Sequence, residues 1–352
     1  MSDKTLKIAI DAMGGDMGVD ATIPGCARAL KANPNLRFLL VGDEGKIRPI
    51  LSRYADLKNA SEILHTEHAV AGHEKPSVAL RTGRNSSMRL AINAVAEGQA
   101  ACIVSSGNTG ALMAMAKMVL KMLPQIRRPA IASVLPSKSG MTVMLDLGAN
   151  LFCDSEVLVQ FALMGSIYAK VIHGKEKPTV GLLNVGSEDM KGHEELRAAH
   201  ATLNRVTFPG VYKGFVEGND IPMGTVDVVV TDGFTGNIAL KTAEGVGKLT
   251  AHYLREAFKS TPLAMLGGLL AMGAMRRMKA KVDPRLYNGG MFLGLDGVCI
   301  KSHGSADAIG FGNAIGVAAK LLEGNFNARV ATEVEALMSQ ESFFTSELGQ
   351  EG

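Results

Sequence analysis

Short aliphatic and β-branched runs alternate with longer segments of helical apolar spacing along most of the chain. The runs predict strands over residues 7–11, 36–41, 101–105, 130–135, 142–147, 179–185 and 226–231, with a helix after most of them. That rhythm points to an α/β protein with a largely parallel sheet. No repeat, low-complexity tract or Ser/Pro-rich linker divides the sequence. A single domain over 1–327 is therefore expected, carrying an inserted helical arm at about 255–285. The acidic segment 328–352 should add one more helix and then a frayed tail.

Composition narrows the function classes. The net charge of +3 over 352 residues and an aromatic content of 5% do not suit a dedicated nucleic-acid binder. Cys26, Cys102, Cys153 and Cys299 share no CxxC spacing, so neither a zinc site nor a disulfide framework is indicated. Residues 1–7 lack the basic and long apolar regions of a signal peptide, and a reducing, intracellular location is expected. The longest uncharged stretch, residues 98–116, is interrupted by Ser105-Ser106-Gly107-Asn108-Thr109, which no lipid-exposed helix favours. Glycine is abundant, 40 of 352 residues or about 11% against a usual ~7%.

Those glycines gather after strands. The turns read Ala12-Met13-Gly14-Gly15-Asp16, Ser106-Gly107-Asn108-Thr109-Gly110, Gly148-Ala149-Asn150 and Asp232-Gly233-Phe234-Thr235-Gly236-Asn237. Glycine permits close backbone approach, Ser, Thr and Asn cap the following helix, and free N–H groups there favour an anion. In an open α/β sheet such turns collect at the carboxyl ends of the strands. Any one of them has an ordinary structural explanation; four together point to phosphate or a phosphate-bearing ligand. No GxxxxGK[ST], strand-linked GxGxxG, GxSxG or HExxH signature is present, and Gly310-Phe311-Gly312 falls within a helical run. His65, His68 and His73 cluster without Cys or a regular acidic partner, so no metal is expected. Inorganic phosphate can itself be the nucleophile, leaving the protein to position it and to hold charge. Lys191 and Lys241 lie beside these turns as candidate cations, and His303 stands at a strand-to-helix junction where it could protonate a departing thiolate. Arg81 and Arg84 would share a helix face, reaching an anion or facing water.

Residues 260–275 carry no charge and are followed by Arg276, Arg277, Lys279 and Lys281. Leu263, Met265, Leu266, Leu269, Leu270 and Met272 share one half of the helical wheel, while Ala and Gly occupy the other. The stretch is shorter than the ~20 residues a bilayer span needs. It reads either as a core or dimer-interface helix, or as a hairpin tip lying in an anionic membrane surface.

Together these segments resemble the bacterial phosphate acyltransferase family, which transfers a fatty acyl group from acyl carrier protein to inorganic phosphate. The resemblance runs from about residue 7 to 322. It rests on Asp11-Ala12-Met13-Gly14-Gly15-Asp16, Ser86-Ser87-Met88, residues 105–112, Leu145-Asp146-Leu147-Gly148-Ala149-Asn150, residues 232–240, Tyr287-Asn288-Gly289 and Lys301-Ser302-His303-Gly304. It implies a three-layer α/β/α sandwich similar to phosphate acetyltransferases and the isocitrate dehydrogenase superfamily. It further implies a homodimer without a cofactor, peripheral contact with the cytoplasmic face of an anionic membrane, and a product consumed by a glycerol-phosphate acyltransferase.

On this reading phosphate binds among Asp11, Gly14, Gly15, Ser86, Ser87, Gly107, Asn108, Thr109, Asn150, Gly233, Gly236 and Asn237, and attacks the thioester directly. Lys191 and Lys241 hold phosphate or oxyanion charge, and His303 or Asp232 manages protons. Leu266, Leu269, Leu270, Arg276, Arg277 and Lys279 meet the membrane or the carrier protein, and the Leu/Met face walls the acyl chain. The family usually has an acidic residue where this chain has Phe152, and commonly reads Gly-Glu-Glu where this chain has Ser187-Glu188-Asp189. Two rival readings are a metal- and NAD-dependent dehydrogenase on the same architecture and a non-enzymatic membrane-surface scaffold.

Overall fold

The computed structural model describes residues 5–340, apart from the side chain of Lys279. The remainder of the expected acidic tail, 341–352, lies outside the described residues. The strands are β1 (Leu6–Asp11), β2 (Leu36–Gly42), β3 (Ser61–His65), β4 (Cys102–Ser105), β5 (Ala130–Ser137), β6 (Gly140–Leu145), β7 (Thr179–Leu183), β8 (Val211–Val216), β9 (Val228–Val230), β10 (Gly290–Leu293) and β11 (Val298–Lys301). They form one mixed, mainly parallel sheet in the order β3-β2-β1-β4-β11-β10-β5-β6-β9-β7-β8. The antiparallel pairs are β11–β10, β10–β5 and β5–β6. Three antiparallel steps reverse the sheet's direction between its halves. β1, β2, β3, β4, β5 and β11 run one way, and β6, β7, β8 and β9 run the other.

The helices are α1 (Val19–Ala32), α2 (Glu44–Leu51), α3 (Ala55–Asn59), α4 (Pro76–Thr82), α5 (Ser87–Ala96), α6 (Thr109–Leu120), α7 (Ser155–His173), α8 (Glu194–Leu203), α9 (Asp220–Met223), α10 (Gly233–Lys259), α11 (Pro262–Val282), α12 (Ala308–Glu323) and α13 (Phe326–Met338). Successive strand side chains point to opposite faces. Ile8, Ile10 and Phe38 accordingly join the core under α1, α7, α12 and α13, whereas Ala9, Leu39 and Val41 join the core under α5 and α6. This gives the three layers. α1 and α12 pack closely because Gly25 has no side chain: a Cβ there would lie 3.0 Å from Phe311. α7 is long and apolar enough by composition to cross a membrane, but 72% of its apolar window is buried in the protein, against α8, α12 and α13.

Short polar residues set the helix starts near the turns. Ser86 caps α5 at Arg89 N, Asn108 caps α6 at Ala111 N, Asp154 caps α7 at Val157 N, and Asp232 caps α10 at Thr235 N; such a cap contributes about 1 kcal/mol. α10 and α11 form a hairpin that stands away from the sheet. Beyond the first turn of α10 the hairpin is largely exposed, and Gly268 of α11 lies close to Phe258 of α10.

Candidate active site

The direction of the strands decides which turns can meet. The turns after β1, β4 and β11 sit at one end of the sheet, and those after β6, β7 and β9 at the other. The sequence expectation of a single gathering is corrected on this point. It holds for a sheet running one way, and the reversal through β10 and the β5–β6 hairpin divides the turns into two groups.

The first group is built on Asp11, the last residue of β1. Its buried carboxylate accepts hydrogen bonds from Ser87 Oγ and Ser105 Oγ, each 2.6 Å. Burial pushes this carboxyl above its usual range, while the two hydroxyls, the Met13 N–H and the charge of Lys301 oppose the shift. Lys301 ends β11 in register with Ser105. Its Nζ contacts Ser302 O and lies 3.4 Å from Ser106 O. Burial lowers the Lys301 pKa to about 8, against the pull of Asp11, Cys299 and Asp16.

The glycines here serve contacts between turns. A Cβ on Gly14 would lie 2.6 Å from Asp11 Oδ2 and 2.8 Å from Gly107 N. Gly15, at φ +81°, would put one 2.8 Å from Gly304 O. The close approach that the sequence assigned to a ligand is in large part chain against chain. It is locked by Ser106 Oγ donating to Gly14 O and Asp16 N donating to Gly304 O, both 2.8 Å.

Several sequence candidates prove to be engaged. Asn108 Nδ2 donates to Gly72 O and Glu74 O at 2.9 Å while its Oδ1 caps Ala111 N, so its amide ties α6 to the 72–74 turn and has no hydrogen left for phosphate. Ser86 Oγ donates to Gly83 O. His303 accepts its own turn's Ser305 at Nδ1, the two side chains 2.9 Å apart. The first N–H groups of α6, at Thr109 and Gly110, point outward from the helix start, where intrahelical partners do not exist. α4 ends at Thr82 and a 3₁₀ turn spans Gly83–Asn85, so Arg81 and Arg84 do not share an α-helical face. Arg84 instead lies near enough to Arg89 for its charge, after burial, to lower the Arg89 pKa.

The second group centres on Asp146, which the sequence reading left without a role. Its fully buried carboxylate accepts from the N–H groups of Ile131, Gly148, Ala149 and Asn150 and from Asn150 Nδ2, at 2.7–3.2 Å. The anion held by the Gly148–Asn150 turn is therefore the protein's own. Burial pushes this carboxyl up and the donors pull it down. Asn150 Nδ2 also donates to Pro129 O, and Asn237 Nδ2 donates to Leu147 O. The expected Asn150 contact with phosphate is thereby corrected. Gly233 and Gly236 allow α10 to meet this turn: a Cβ on Gly236 would lie 1.9 Å from Asp146 O.

Beside this group lies a 370 Å³ cleft lined by Leu151, Phe152, Val185, His193, Asp232 and Phe234 among others. Phe152, where an acid was expected, stacks on His193 at 6.3 Å. Asp232 accepts Thr235 N and Thr235 Oγ1 at 2.8 Å. Lys191 is exposed on the turn after β7 that reaches this cleft, and Lys241 is exposed on α10, 3.6 Å from Glu244.

Burial raises the thiol pKa values of all four cysteines, that of Cys153 to about 12, so thiolate nucleophiles are suppressed at neutral pH. Lys301 and Asp146 are the residues sequence reasoning missed. Their signal is the same: a charged residue closing or directly following an apolar buried strand, just ahead of a glycine turn.

Residues 6–329 match the family described as fatty acid synthesis protein. The chain is 59% identical over 332 residues to the phosphate acyltransferase of Rhodospirillum centenum, covering 94% of each. It is 49% identical over 347 residues to that of Caulobacter vibrioides, covering 99% of this chain and 96% of the relative. Among solved structures, a phosphotransacetylase from Streptococcus pyogenes has a TM-score of 0.59 at 16% identity over 95% of each chain. The EutD phosphotransacetylase from Staphylococcus aureus has 0.55 at 14% over 96% of each. These likenesses place the fold among phosphotransacetylases.

Proposed function

The chain belongs to the phosphate acyltransferase family and is an enzyme that transfers an acyl group to phosphate, and we propose that its donor is an acyl carrier protein thioester and its product a long-chain acyl phosphate for phospholipid synthesis. One phosphate oxygen attacks the thioester carbonyl. The C–O bond forms, the tetrahedral oxyanion collapses, the C–S bond breaks, and the proton of hydrogen phosphate ends on the carrier thiol. We assign the relay of that proton to His303, on the turn after β11, or to Asp232. Family membership sets the dehydrogenase and scaffold readings aside.

The observation that carries direct attack is the closure of the β1, β4 and β11 turns around Asp11, with α6 starting directly after the β4 turn. Suppressed thiols favour the same route. We assign phosphate to this first group, near Gly14, Gly107 and Thr109. The thioester and the start of its acyl chain belong to the apolar cleft of the second group, which Asp232 lines, with Lys191 next to the lining residue Gly192 and Lys241 one turn into α10.

The two groups occupy opposite ends of one chain's sheet, so the reaction calls for a homodimer that brings the second group of one chain to the first group of its partner. The exposed length of α10, with Ile238, Val246, Leu249 and Tyr253 uncovered, supports such a partner. The tip of α11 exposes Leu266, Leu269 and Leu270 beside Arg276 and Arg277, which supports peripheral contact with an anionic membrane surface. The product would pass there to a glycerol-phosphate acyltransferase. Purified protein given acyl carrier thioester and labelled phosphate is expected to yield a labile, hydroxylamine-sensitive mixed anhydride. A covalently acylated protein side chain during turnover would refute direct attack.

A further inference from the structure

We propose that Lys301 is the cation that binds the attacking phosphate, a further catalytic residue of the first group of turns. This rests on the reaction proposed above and names the group that holds its nucleophile. Three features of the fold lead to it.

The first is placement. Lys191 and Lys241 are exposed and belong to the opposite end of the sheet. Lys301 stands inside the closure itself, paired in register with Ser105 on β4 and reaching the carbonyl of Ser106. The turn that follows it carries Gly304, against which Gly15 and Asp16 pack.

The second is unfilled bonding capacity. An ammonium has three donors and no acceptor. Lys301 Nζ meets two main-chain carbonyls, Ser106 O and Ser302 O. Asp11 and Asp16 are felt as charges, but neither forms an ion pair with it among the described residues. The Asp11 carboxylate is instead occupied by Ser87 and Ser105. One donor and most of a positive charge therefore remain for an anion arriving at the α6 N-terminus.

The third is energetic. A buried ammonium is costly, and a purely structural tie between two carbonyls could be made by a neutral donor. A doubly charged phosphate would supply the missing counter-charge. The charged or titratable groups that act on Lys301 are Asp11 on β1, Asp16 in the turn after it and Cys299 on its own strand β11. Burial outweighs the carboxylates and sets the Lys301 pKa at about 8. Its charge is thus present below that pH and lost as pH rises through it, a window in which phosphate is already the dianion and the Cys299 thiol, raised by burial, stays protonated.

The test measures steady-state KM for inorganic phosphate and for the acyl carrier thioester on either side of about pH 8, using the full-length enzyme. For wild type the KM expressed per phosphate dianion is expected to be flat below this point and to rise above it towards about tenfold per pH unit, as for loss of one proton. K301R keeps its charge, so its profile should stay flat. K301M should raise the phosphate KM at least about tenfold at neutral pH, the scale of one charged hydrogen bond, with the thioester KM unchanged. A normal phosphate KM in K301M, or an alkaline rise that persists in K301R, would overturn the assignment while leaving the reaction intact. If circular dichroism finds K301M unfolded, the K301R profile decides alone. Wild-type enzyme forming no acyl phosphate would overturn the reaction and this assignment with it.

Discussion

A carboxylate enclosed by five N–H donors pins the turn after β6. Asp146 faces Ile131, Gly148, Ala149 and both nitrogens of Asn150. Asparagine would keep the shape but turn one acceptor oxygen into an NH₂ facing other donors. At least two buried N–H groups would lose their partner, at about 1–3 kcal/mol each, and D146N is expected to lose about 2–6 kcal/mol in urea denaturation at an unchanged m-value. A loss below about 1 kcal/mol would mean that the turn re-forms around water. Gly236→Ala tests the same contact from α10, since the added carbon would sit 1.9 Å from Asp146 O; it should destabilise by displacing the helix start. At this scale the sequence located the glycine-rich turns at the strand ends but not what their side chains bond to. Asn108, Asn150 and Ser86 look alike as anion donors until their partners are known, and those partners lie up to 36 residues away.

At the level of elements, α11 puts its apolar residues outward. Leu263 and Leu270 are 78% and 83% exposed, so within one chain the core-helix alternative is not realised. A leucine surface beside a basic cluster binds an anionic bilayer with about 1 kcal/mol from each Lys or Arg. Reversing Arg276, Arg277 and Lys279 to Glu should therefore cut vesicle affinity, read by co-sedimentation with anionic vesicles, by at least about a hundredfold, with carrier-protein affinity measured separately and expected to hold. A raised thioester KM with unchanged sedimentation would instead assign the cluster to carrier docking. The interior strands β1, β2, β4, β5, β6, β7 and β9 were legible from apolar runs because both of their faces are buried. The runs at 142–147 and 179–185 overshoot, since the chain turns at Asp146 and leaves the ladder after Leu183. Both edge strands were missed. β3, with Glu62 and His65, and β8, with Lys213 and Gly214, carry the polar residues that protect sheet edges and so blur the alternation. β10 and β11 were missed as well, because Gly289, Gly290, Gly294 and Gly297 bracket these short runs and read as turns.

For the whole molecule, the feature local patterning cannot carry is the reversal of the sheet, because β10 and the β5–β6 hairpin take their direction from long-range pairing. That reversal puts the two groups of turns of one chain at opposite ends of its strands, and it gives the proposed homodimer a consequence that can be measured. A site shared between chains needs its first group from one copy and its second from the other. K301M damages the first group and K191M the second, so with phosphate held well below the K301M KM each homodimer is expected to be nearly inactive. A mixed dimer contains one site carrying both changes and one carrying neither. Random pairing of equal amounts makes half the dimers mixed, and half of their sites are intact, so remixed protein should recover about a quarter of wild-type turnover. Recovery should follow the time course of subunit exchange. If exchange is complete and turnover stays at the level of the separate variants, each site is made within one chain, and the two groups of turns must then be joined by a movement of the arm and cleft.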